Sequence, residues 1–213
     1  YHQVSIPHIV GLYEVAEVTG RKADLPSDFL QRLRAAYLWP IKIATPNWDN
    51  PNINDSWPVD VARVSEDPAK LFPNEPVFAW AASGRASGTP PSFRNLHLPD
   101  SGLVILRSGW DADANYALLD VGPLSRGHSH QDKLNLIIYA HGRRLLFDNG
   151  GGNYEQSPYR RYGIDTHSHN TVLVDGEPQR RVKDKTNDPS GWGDPATPPA
   201  HFHEGTDYAY ALG

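Results

Sequence analysis

The sequence predicts an α+β chain in which helices precede an antiparallel β-sandwich. Apolar residues recur at helical spacing through residues 1–40, whereas short apolar runs with a period of two follow from Ser101 onward. The stretch between them, residues 41–100, is rich in proline and asparagine, which is typical of loops and of connections between domains. These three observations indicate two structurally different parts joined by an irregular segment.

Two helices are expected in the first part. Residues 1–20 carry apolar side chains at helical spacing and end at a glycine, although Pro7 would kink this helix or mark a restart. Residues 25–39 form a second apolar stripe, with Ser27 as the expected N-cap and Pro40 as the expected end. Two helices joined by a short turn indicate a helical hairpin, the unit of an all-α array.

The middle segment is expected to be mostly irregular. Residues 45–58, "TPNWDNPNINDSWP", have the composition of a loop. A short helix is expected within residues 67–83, and residues 83–92 have the serine, glycine and proline content of a flexible linker.

Five short β-type runs follow, separated by Gly, Asp and Asn turns. They are GLVILRS, NYALLDV, LNLIIYA, RRLLFD and NTVLVDG, at residues 102–108, 115–121, 134–140, 143–148 and 170–176. The pair His141-Gly142 between the third and fourth runs predicts a two-residue hairpin loop, although Asn-Gly and Asp-Gly are the stronger pairs. Five closely spaced strands with no intervening helix indicate an antiparallel sandwich.

Composition excludes several classes of function. The formal net charge is -5 and the sequence pI is near 6.0, which argues against a dedicated nucleic-acid-binding protein. No apolar run approaches the roughly 20 residues that span a bilayer, so we expect no membrane protein. There is no cysteine, which excludes disulfides, thiolate zinc sites and cysteine nucleophiles. There is also no methionine, and we therefore expect an internal piece of a longer protein, with sequence missing at both ends.

Histidines and carboxylates concentrate at the predicted strand ends. His128 and His130 precede the third run, Asp148 ends the fourth, and His167 and His169 precede the fifth. If Ala140 pairs with its neighbour across the turn, Asp148 falls opposite Asn135, and the three clusters could converge at one sheet edge. Neutral imidazoles with one carboxylate suit a tetrahedral zinc site. The alternatives are proton transfer or ordinary surface histidines; in an extended chain the first two histidines would point to the same side.

Tyrosines and arginines form a second group between the last two clusters. Its members are Tyr154, Tyr159, Arg160, Arg161 and Tyr162. The two arginines are candidate substrate-binding residues because guanidinium forks suit carboxylate or sulfate groups, and a tyrosine near a cation can act as a base. The alternative is a packed loop in which arginines cover aromatic rings.

The order of these motifs resembles the heparinase II/III family of polysaccharide lyases. The similar segments are "DSGLVILRSGW", "GHSHQDKLNLIIYAHGRRLLFDNG" and "HSHNTVLVDG", with "YHQVSIPHIVGLYEVAEVTG" resembling the family's tyrosine-histidine segment. The resemblance implies an α+β multidomain fold, truncated at both ends. Residues 1–95 would be the C-terminal helices of an (α/α) toroid and a linker, and residues 96–213 an incomplete antiparallel β-sandwich.

The resemblance also assigns roles to single residues. Tyr1 matches the tyrosine that serves as acid and sometimes as base, His128 matches a histidine that faces the substrate, and Tyr162 lies where some members carry a second catalytic tyrosine. The zinc ligands of family members match His130, Asp148 and His169, and the Zn²⁺ would be mainly structural. His167 departs from the family pattern and could compete with the third ligand.

The implied activity is cleavage of uronic-acid-containing glycans, of the alginate or glycosaminoglycan type, by β-elimination. The implied partner is an anionic uronate polysaccharide or oligosaccharide, with no nucleic acid and no membrane, and the implied location is the periplasm of a bacterium or the secreted fraction. The missing N-terminal toroid helices of the same protein would be a further partner, and a homodimer is an alternative assembly. Because the family's carboxylate-neutralising residue would precede Tyr1, we expect this piece alone to be inactive as a lyase.

Two other functions fit the same residues. A uronate C5-epimerase of related fold would use the same deprotonation and return the proton to the opposite face. A non-catalytic glycan-binding β-sandwich would bind the polymer without chemistry.

Overall fold

The computed structural model describes residues 2–122, 128–151, 154–179 and 200–213. The helices are α1 (His2–Val18), α2 (Phe29–Lys42), α3 (Val61–Val64), α4 (Glu66–Leu71), α5 (Pro76–Ala82) and α6 (Pro158–Ile164). The strands are β1 (Leu96–Leu98), β2 (Leu103–Arg107), β3 (Tyr116–Asp120), β4 (Leu136–Ala140), β5 (Arg143–Leu146), β6 (His201–Glu204) and β7 (Ala209–Leu212). Helices thus precede antiparallel strands, which confirms the predicted fold class.

The chain divides into two compact units. One contains the residues up to Ala44 together with Asp60–Pro90, and the other contains Thr45–Val59 and Pro91–Gly213. The predicted division put the whole of residues 1–95 with the helices, whereas the loop from Thr45 to Val59 lies in the unit that carries the sheet. This loop is polar, and its backbone groups form hydrogen bonds with residues of the second unit. For example, Asp55 N donates to His128 O at 3.0 Å.

Both predicted helices are present in the first unit, but the expected boundaries of α2 are wrong. Asp28, not Ser27, occupies the N-cap position, and its side chain makes no capping hydrogen bond. The helix also continues through Pro40 to Lys42. A proline in the last turn removes one backbone hydrogen bond, and here the helix ends only two residues later.

The core of the helical unit is aromatic. Tyr37 of α2, Phe72 and Phe78 lie with ring centroids 5.7–6.5 Å apart, and Phe78 is fully buried. The segment in which one short helix was expected folds into two helices, α4 and α5, with α3 just before it. Prolines interrupt this stretch repeatedly, so it cannot form one long helix.

The second unit is built on a five-stranded antiparallel sheet with the order β1-β2-β3-β4-β5. Four of the five predicted runs are strands. The fifth run, residues 170–176, is not a strand and makes only an isolated bridge between Val174 and Glu177. Asp175 and Gly176 have φ of 55° and 76°, which turns the chain back at once. The described strands form no ladder with this apolar run, although Leu136 N of β4 donates to Asn170 O at 3.0 Å, and Val172 and Val174 are 65% and 71% exposed.

The predicted hairpin between β4 and β5 is confirmed. Ala140 pairs with Arg143, and both turn residues, His141 and Gly142, have positive φ (54° and 64°), as a type I′ turn requires. The register shifts beyond Tyr139, which adds one residue to the β5 side. The hairpin then delivers Asp148 to the end of β4 opposite the turn.

A second, two-stranded sheet consists of β6 and β7. It lies beside β1, where the Asn95 side-chain amide donates to Glu204 Oε1 at 2.8 Å and the rings of His97 and Phe202 are 6.0 Å apart. None of the helices in the described ranges has the length and hydropathy needed to cross a bilayer.

Candidate metal centre and adjacent histidine

Asp148, one of the candidate metal ligands, is held by hydrogen bonds from a side chain and from the backbone. Asn135, just before β4, donates from Nδ2 to Asp148 Oδ2 at 2.8 Å, which agrees with the proximity predicted from the hairpin register. The backbone N–H of Gly150 donates to the other carboxylate oxygen at 2.9 Å. Gly150 has φ of 68°, so the chain reverses tightly here.

Three predicted ligands converge in the structure. One ligand atom from each of His130, Asp148 and His169 lies within 4.8 Å of the others. The rings of the two histidines have centroids 5.1 Å apart, and His169 Nδ1 lies 2.6 Å from Asp148 Oδ2. All three side chains are buried, since His130, Asp148 and His169 have no exposed side-chain surface.

Two buried nitrogens of this cluster have no hydrogen-bond partner: His130 Nδ1 and His169 Nε2. A buried polar atom without a partner costs free energy, and such atoms often mark a site for an ion. Two imidazole nitrogens and one carboxylate form a donor set that zinc accepts, with a fourth position for another ligand. The residues present therefore fit a zinc ion.

The pKa values of the two histidines are shifted in opposite directions. Burial lowers the pKa of His130, even though Asp55 acts in the opposite direction, so the imidazole is held neutral as a metal ligand must be. Burial also acts to lower the pKa of His169, but the hydrogen bond and charge of Asp148 outweigh it and the pKa is raised. A metal cation bound at His169 would compete with protonation of its imidazole.

Asp132, which the sequence analysis did not single out, lies beside this cluster. Its side chain is buried, its Oδ2 has no hydrogen-bond partner, and burial raises its pKa. The charges of His169 and His130 partly offset that rise.

His167 lies outside the cluster. Its Nδ1 is 2.5 Å from Asp165 Oδ1 and its Nε2 is 3.2 Å from the backbone oxygen of Gly176. The hydrogen bond to Asp165 raises the pKa of His167. Among the described residues, the structure thus brings His169, and not His167, to the other two candidate ligands.

His128 lies next to the cluster and shares a carboxylate with it. Its Nδ1 is 3.0 Å from Asp55 Oδ2, while His130 Nε2 is 3.0 Å from Asp55 Oδ1. The backbone at His128 is not extended, because its φ is 65°. Both rings nevertheless face one carboxylate, and the His128 side chain remains 40% exposed.

Asp55 was missed by the sequence analysis. Its side chain is only 4% exposed, and the neighbouring Asn54 accepts a hydrogen bond from the backbone N–H of His130 at 2.9 Å. Burial acts to raise the pKa of Asp55, but hydrogen bonds from His130, Arg160 and His128 outweigh it and the pKa is lowered. The available signal was an Asp- and Asn-rich loop in a region of irregular composition.

The two predicted substrate-binding arginines differ in their surroundings. Arg160 Nη2 lies 2.6 Å from Asp55 Oδ1, and Arg160 Nη1 donates to the backbone oxygen of Gly151. Its guanidinium is 5.4 Å from the ring centroid of Tyr154. The guanidinium of Arg160 thus contacts a carboxylate and an aromatic ring within the protein, and its role in substrate binding stays a prediction. Arg161 is exposed on the same helix.

Tyr154 and the two tyrosines of the site prediction, Tyr1 and Tyr162, have different positions. Tyr154 places its hydroxyl 3.1 Å from His128 Nδ1, with the two rings packed edge to face. Tyr162, in α6, is 55% exposed and donates to the backbone oxygen of His167 at 3.4 Å. Tyr1 lies outside the described residues. The catalytic roles of Tyr1 and Tyr162 stay predictions.

Comparisons with known families match both parts of the chain. The family described as heparinase II/III N-terminus matches residues 1–80. The family described as heparinase II/III-like, C-terminal, matches residues 90–205, which is more than half of the 213 residues.

Curated relatives and solved structures point the same way. The "Heparin-sulfate lyase" of Pedobacter heparinus is 24% identical over 185 residues, covering 83% of this chain and 28% of the relative. The protein of the same name from Bacteroides thetaiotaomicron is 26% identical over 203 residues, covering 82% and 29%. The crystal structure of the Pedobacter heparinus heparan sulfate lyase HepC matches with a TM-score of 0.75 at 24% identity, covering 83% and 29%.

This likeness in structure shows a shared fold for the matched region. The chain spans less than a third of the length of these relatives. The heparinase II/III-like, C-terminal family matches more than half of the chain, and the match includes His128 and the three candidate metal ligands. The chain therefore belongs to the heparinase II/III-like family.

Proposed function

We propose that this chain is part of a polysaccharide lyase that cleaves a heparan-type glycosaminoglycan by β-elimination. The observation that carries this proposal is the partly exposed imidazole of His128, held at Nδ1 by Asp55 beside the candidate metal ligands, in a chain of the heparinase II/III-like family. The names of the two curated relatives support the substrate class. Alginate, the other polymer of the initial expectation, has no such support.

The reaction requires two proton transfers. A base removes the C5 proton of the uronate, the C5–H electron pair forms the C4–C5 double bond, the C4–O4 bond breaks, and an acid protonates the departing oxygen. We propose that His128 and Tyr1 transfer these protons, and that Tyr162 is a second catalytic tyrosine. A donor that neutralises the uronate carboxylate makes the C5 proton more acidic.

We also propose that His130, Asp148 and His169 hold a zinc ion. When bound, the ion would supply a structural cross-link between three segments and the electrostatic field of a divalent cation. The support is the pair of buried nitrogens without partners and the convergence of one ligand atom from each of the three residues within 4.8 Å. Each ligand comes from a different segment, so their convergence depends on folding.

The proposed location is outside the bacterial cytoplasm. The proposed substrate is a charged polymer that does not cross a membrane unaided, so the enzyme must meet it outside the cytoplasm.

The test uses the full-length protein with heparan sulfate, chondroitin sulfate, alginate and glucuronan. We expect ultraviolet-absorbing unsaturated uronate ends with heparan sulfate, and a loss of at least about 10²-fold in rate for His128→Ala. The matched control is His141→Ala, because His141 lies in the exposed hairpin turn and should leave the rate unchanged.

Other results would favour the alternatives. Epimerised uronate without ultraviolet absorbance would support the epimerase. Binding without any product, unaltered by His128→Ala, would support a glycan-binding sandwich.

A further inference from the structure

We propose that Asp55 is a positioning residue for two histidines, His128 and the proposed metal ligand His130. In each of them it determines which ring nitrogen carries the proton. The proposal rests on the proposed function, because it assigns His128 to proton transfer. Asp55 would not touch the substrate and would act only through the two imidazoles.

The geometry places three donors on one buried carboxylate. Oδ2 of Asp55 faces His128 Nδ1 at 3.0 Å, and Oδ1 faces His130 Nε2 at 3.0 Å and Arg160 Nη2 at 2.6 Å. The backbone supports this arrangement, since Asp55 N donates to His128 O. A Cβ added at Gly151 would lie 2.5 Å from Asp55 Cα, so the opposing chain packs closely against this carboxylate.

An ionised carboxylate accepts hydrogen bonds and donates none. Each imidazole that faces Asp55 must therefore carry its proton on the facing nitrogen, Nδ1 in His128 and Nε2 in His130. The opposite nitrogen of each neutral ring then keeps its lone pair. In His128 that nitrogen is Nε2, which can accept a proton from a substrate, and in His130 it is Nδ1, which can bind a metal.

An independent observation supports this assignment. His130 Nδ1 is the buried atom without a hydrogen-bond partner that lies within the candidate metal cluster. The tautomer imposed by Asp55 thus leaves a lone pair where the metal would be. One carboxylate would set the chemistry of a metal ligand and of a proton-transfer group at the same time.

Replacement of Asp55 by asparagine separates the two effects. Asparagine has one accepting oxygen and one donating amino group. Arg160 is always protonated and can only donate, so the oxygen should stay toward Arg160 and His130, and the amino group should face His128. His130 would keep its tautomer, whereas His128 would have to accept at Nδ1 and carry its proton on Nε2.

The test is Asp55→Asn in the full-length, zinc-loaded protein. We expect kcat to fall by about 10²–10⁴-fold, with KM and zinc content close to those of the wild type. The matched control is Asp165→Asn, which alters the carboxylate that holds the surface residue His167 and should change none of the three quantities.

A second measurement needs no variant. Nitrogen-15 NMR of histidine-labelled protein, with His128 assigned by its absence in His128→Ala, should show the Nδ1–H tautomer in the wild type and the Nε2–H tautomer in Asp55→Asn. The Nε2–H tautomer in the wild type would overturn the proposal, even if the variant did not fold.

Two further outcomes are decisive. An unchanged kcat in Asp55→Asn, or a parallel loss of zinc and activity, would show that Asp55 has no separate positioning role. If the wild type cleaves none of the polymers, the proposed lyase function fails, while the NMR result still tests the tautomer assignment on its own.

Discussion

His130 Nδ1 and His169 Nε2 are buried nitrogens without hydrogen-bond partners in the described part of the chain, and Asp148 Oδ2 lies 2.6 Å from His169 Nδ1. Removing either histidine should remove one of the three candidate ligands. Asp148 would then be a buried carboxylate with fewer partners, which is unfavourable.

We therefore predict that His130→Ala and His169→Ala abolish stoichiometric zinc binding, because each removes one of three protein ligands. His167→Ala is the matched control, since its ring is bonded to Asp165 and Gly176, and it should keep the metal. Elemental analysis of purified full-length protein gives the zinc content. The zinc proposal fails if the wild type contains no stoichiometric metal, or if His130→Ala retains it.

The neighbouring arginines Arg160 and Arg161 provide a second matched pair. Arg160→Ala should lower the free energy of unfolding by about 2–4 kcal/mol, because it removes the guanidinium from a nearly buried carboxylate. Arg161→Ala should change it by less than about 0.5 kcal/mol, as exposed substitutions usually do. Denaturant unfolding of both variants tests this, and equal effects would contradict the internal role given to Arg160.

At the scale of elements, one tight backbone contact joins two strands of the sheet unit. Gly102 enters β2 with φ of 65°, and a Cβ added there would lie 2.1 Å from the Cα of Gly122, which follows β3. Two glycine backbones thus touch where β2 and β3 are paired. A side chain at this position requires the strands to separate.

Gly102→Ala should lower the free energy of unfolding by about 3 kcal/mol or more, because it combines a backbone clash with an unfavourable φ. Gly176→Ala is the control: its φ is 76°, but no atom lies within 4 Å of the added Cβ. It should cost only about 1 kcal/mol. Chemical denaturation of the two variants measures the difference, and similar losses would show that the contact with Gly122 is not limiting.

The stability of the whole molecule should depend on a partly buried acid in the sheet. Burial, with the charge of Asp132, raises the pKa of Asp120 at the end of β3 to about 7. The folded state thus favours the protonated form. This contribution to stability is complete below the unfolded-state pKa of about 3.9, and it is lost as the pH rises through about 7.

Asp120→Asn should therefore raise the free energy of unfolding at pH values above 7, by about 1–3 kcal/mol, and change it little near pH 4. The amide oxygen can still accept the hydrogen bond from Gly122 N. Asp100→Asn, at an exposed carboxyl, is the control and should have a small effect at every pH. Denaturant unfolding as a function of pH tests the prediction, and a pH-independent difference would contradict it.

Local patterns in the sequence were sufficient for much of the fold. The 3.6-residue period predicted α1 and α2, the two-residue period predicted β2 to β5, and His141-Gly142 predicted the hairpin turn. Each of these features depends on residues that are close to each other in the sequence. Resemblance to a family then supplied the candidate ligands, because the motifs at the strand ends are recognisable when they are taken together.

Only the tertiary structure decided which groups meet. Asp55 lies 73 residues before His128 in a loop without periodicity, so no spacing rule could place its carboxylate between two imidazoles. The structure also separates His169 from His167, which are only two residues apart, and it forms no ladder between the apolar run at residues 170–176 and the described strands. Local sequence determines the conformations that a short segment favours, whereas the position of a distant carboxylate depends on how complete elements pack, which no local pattern contains.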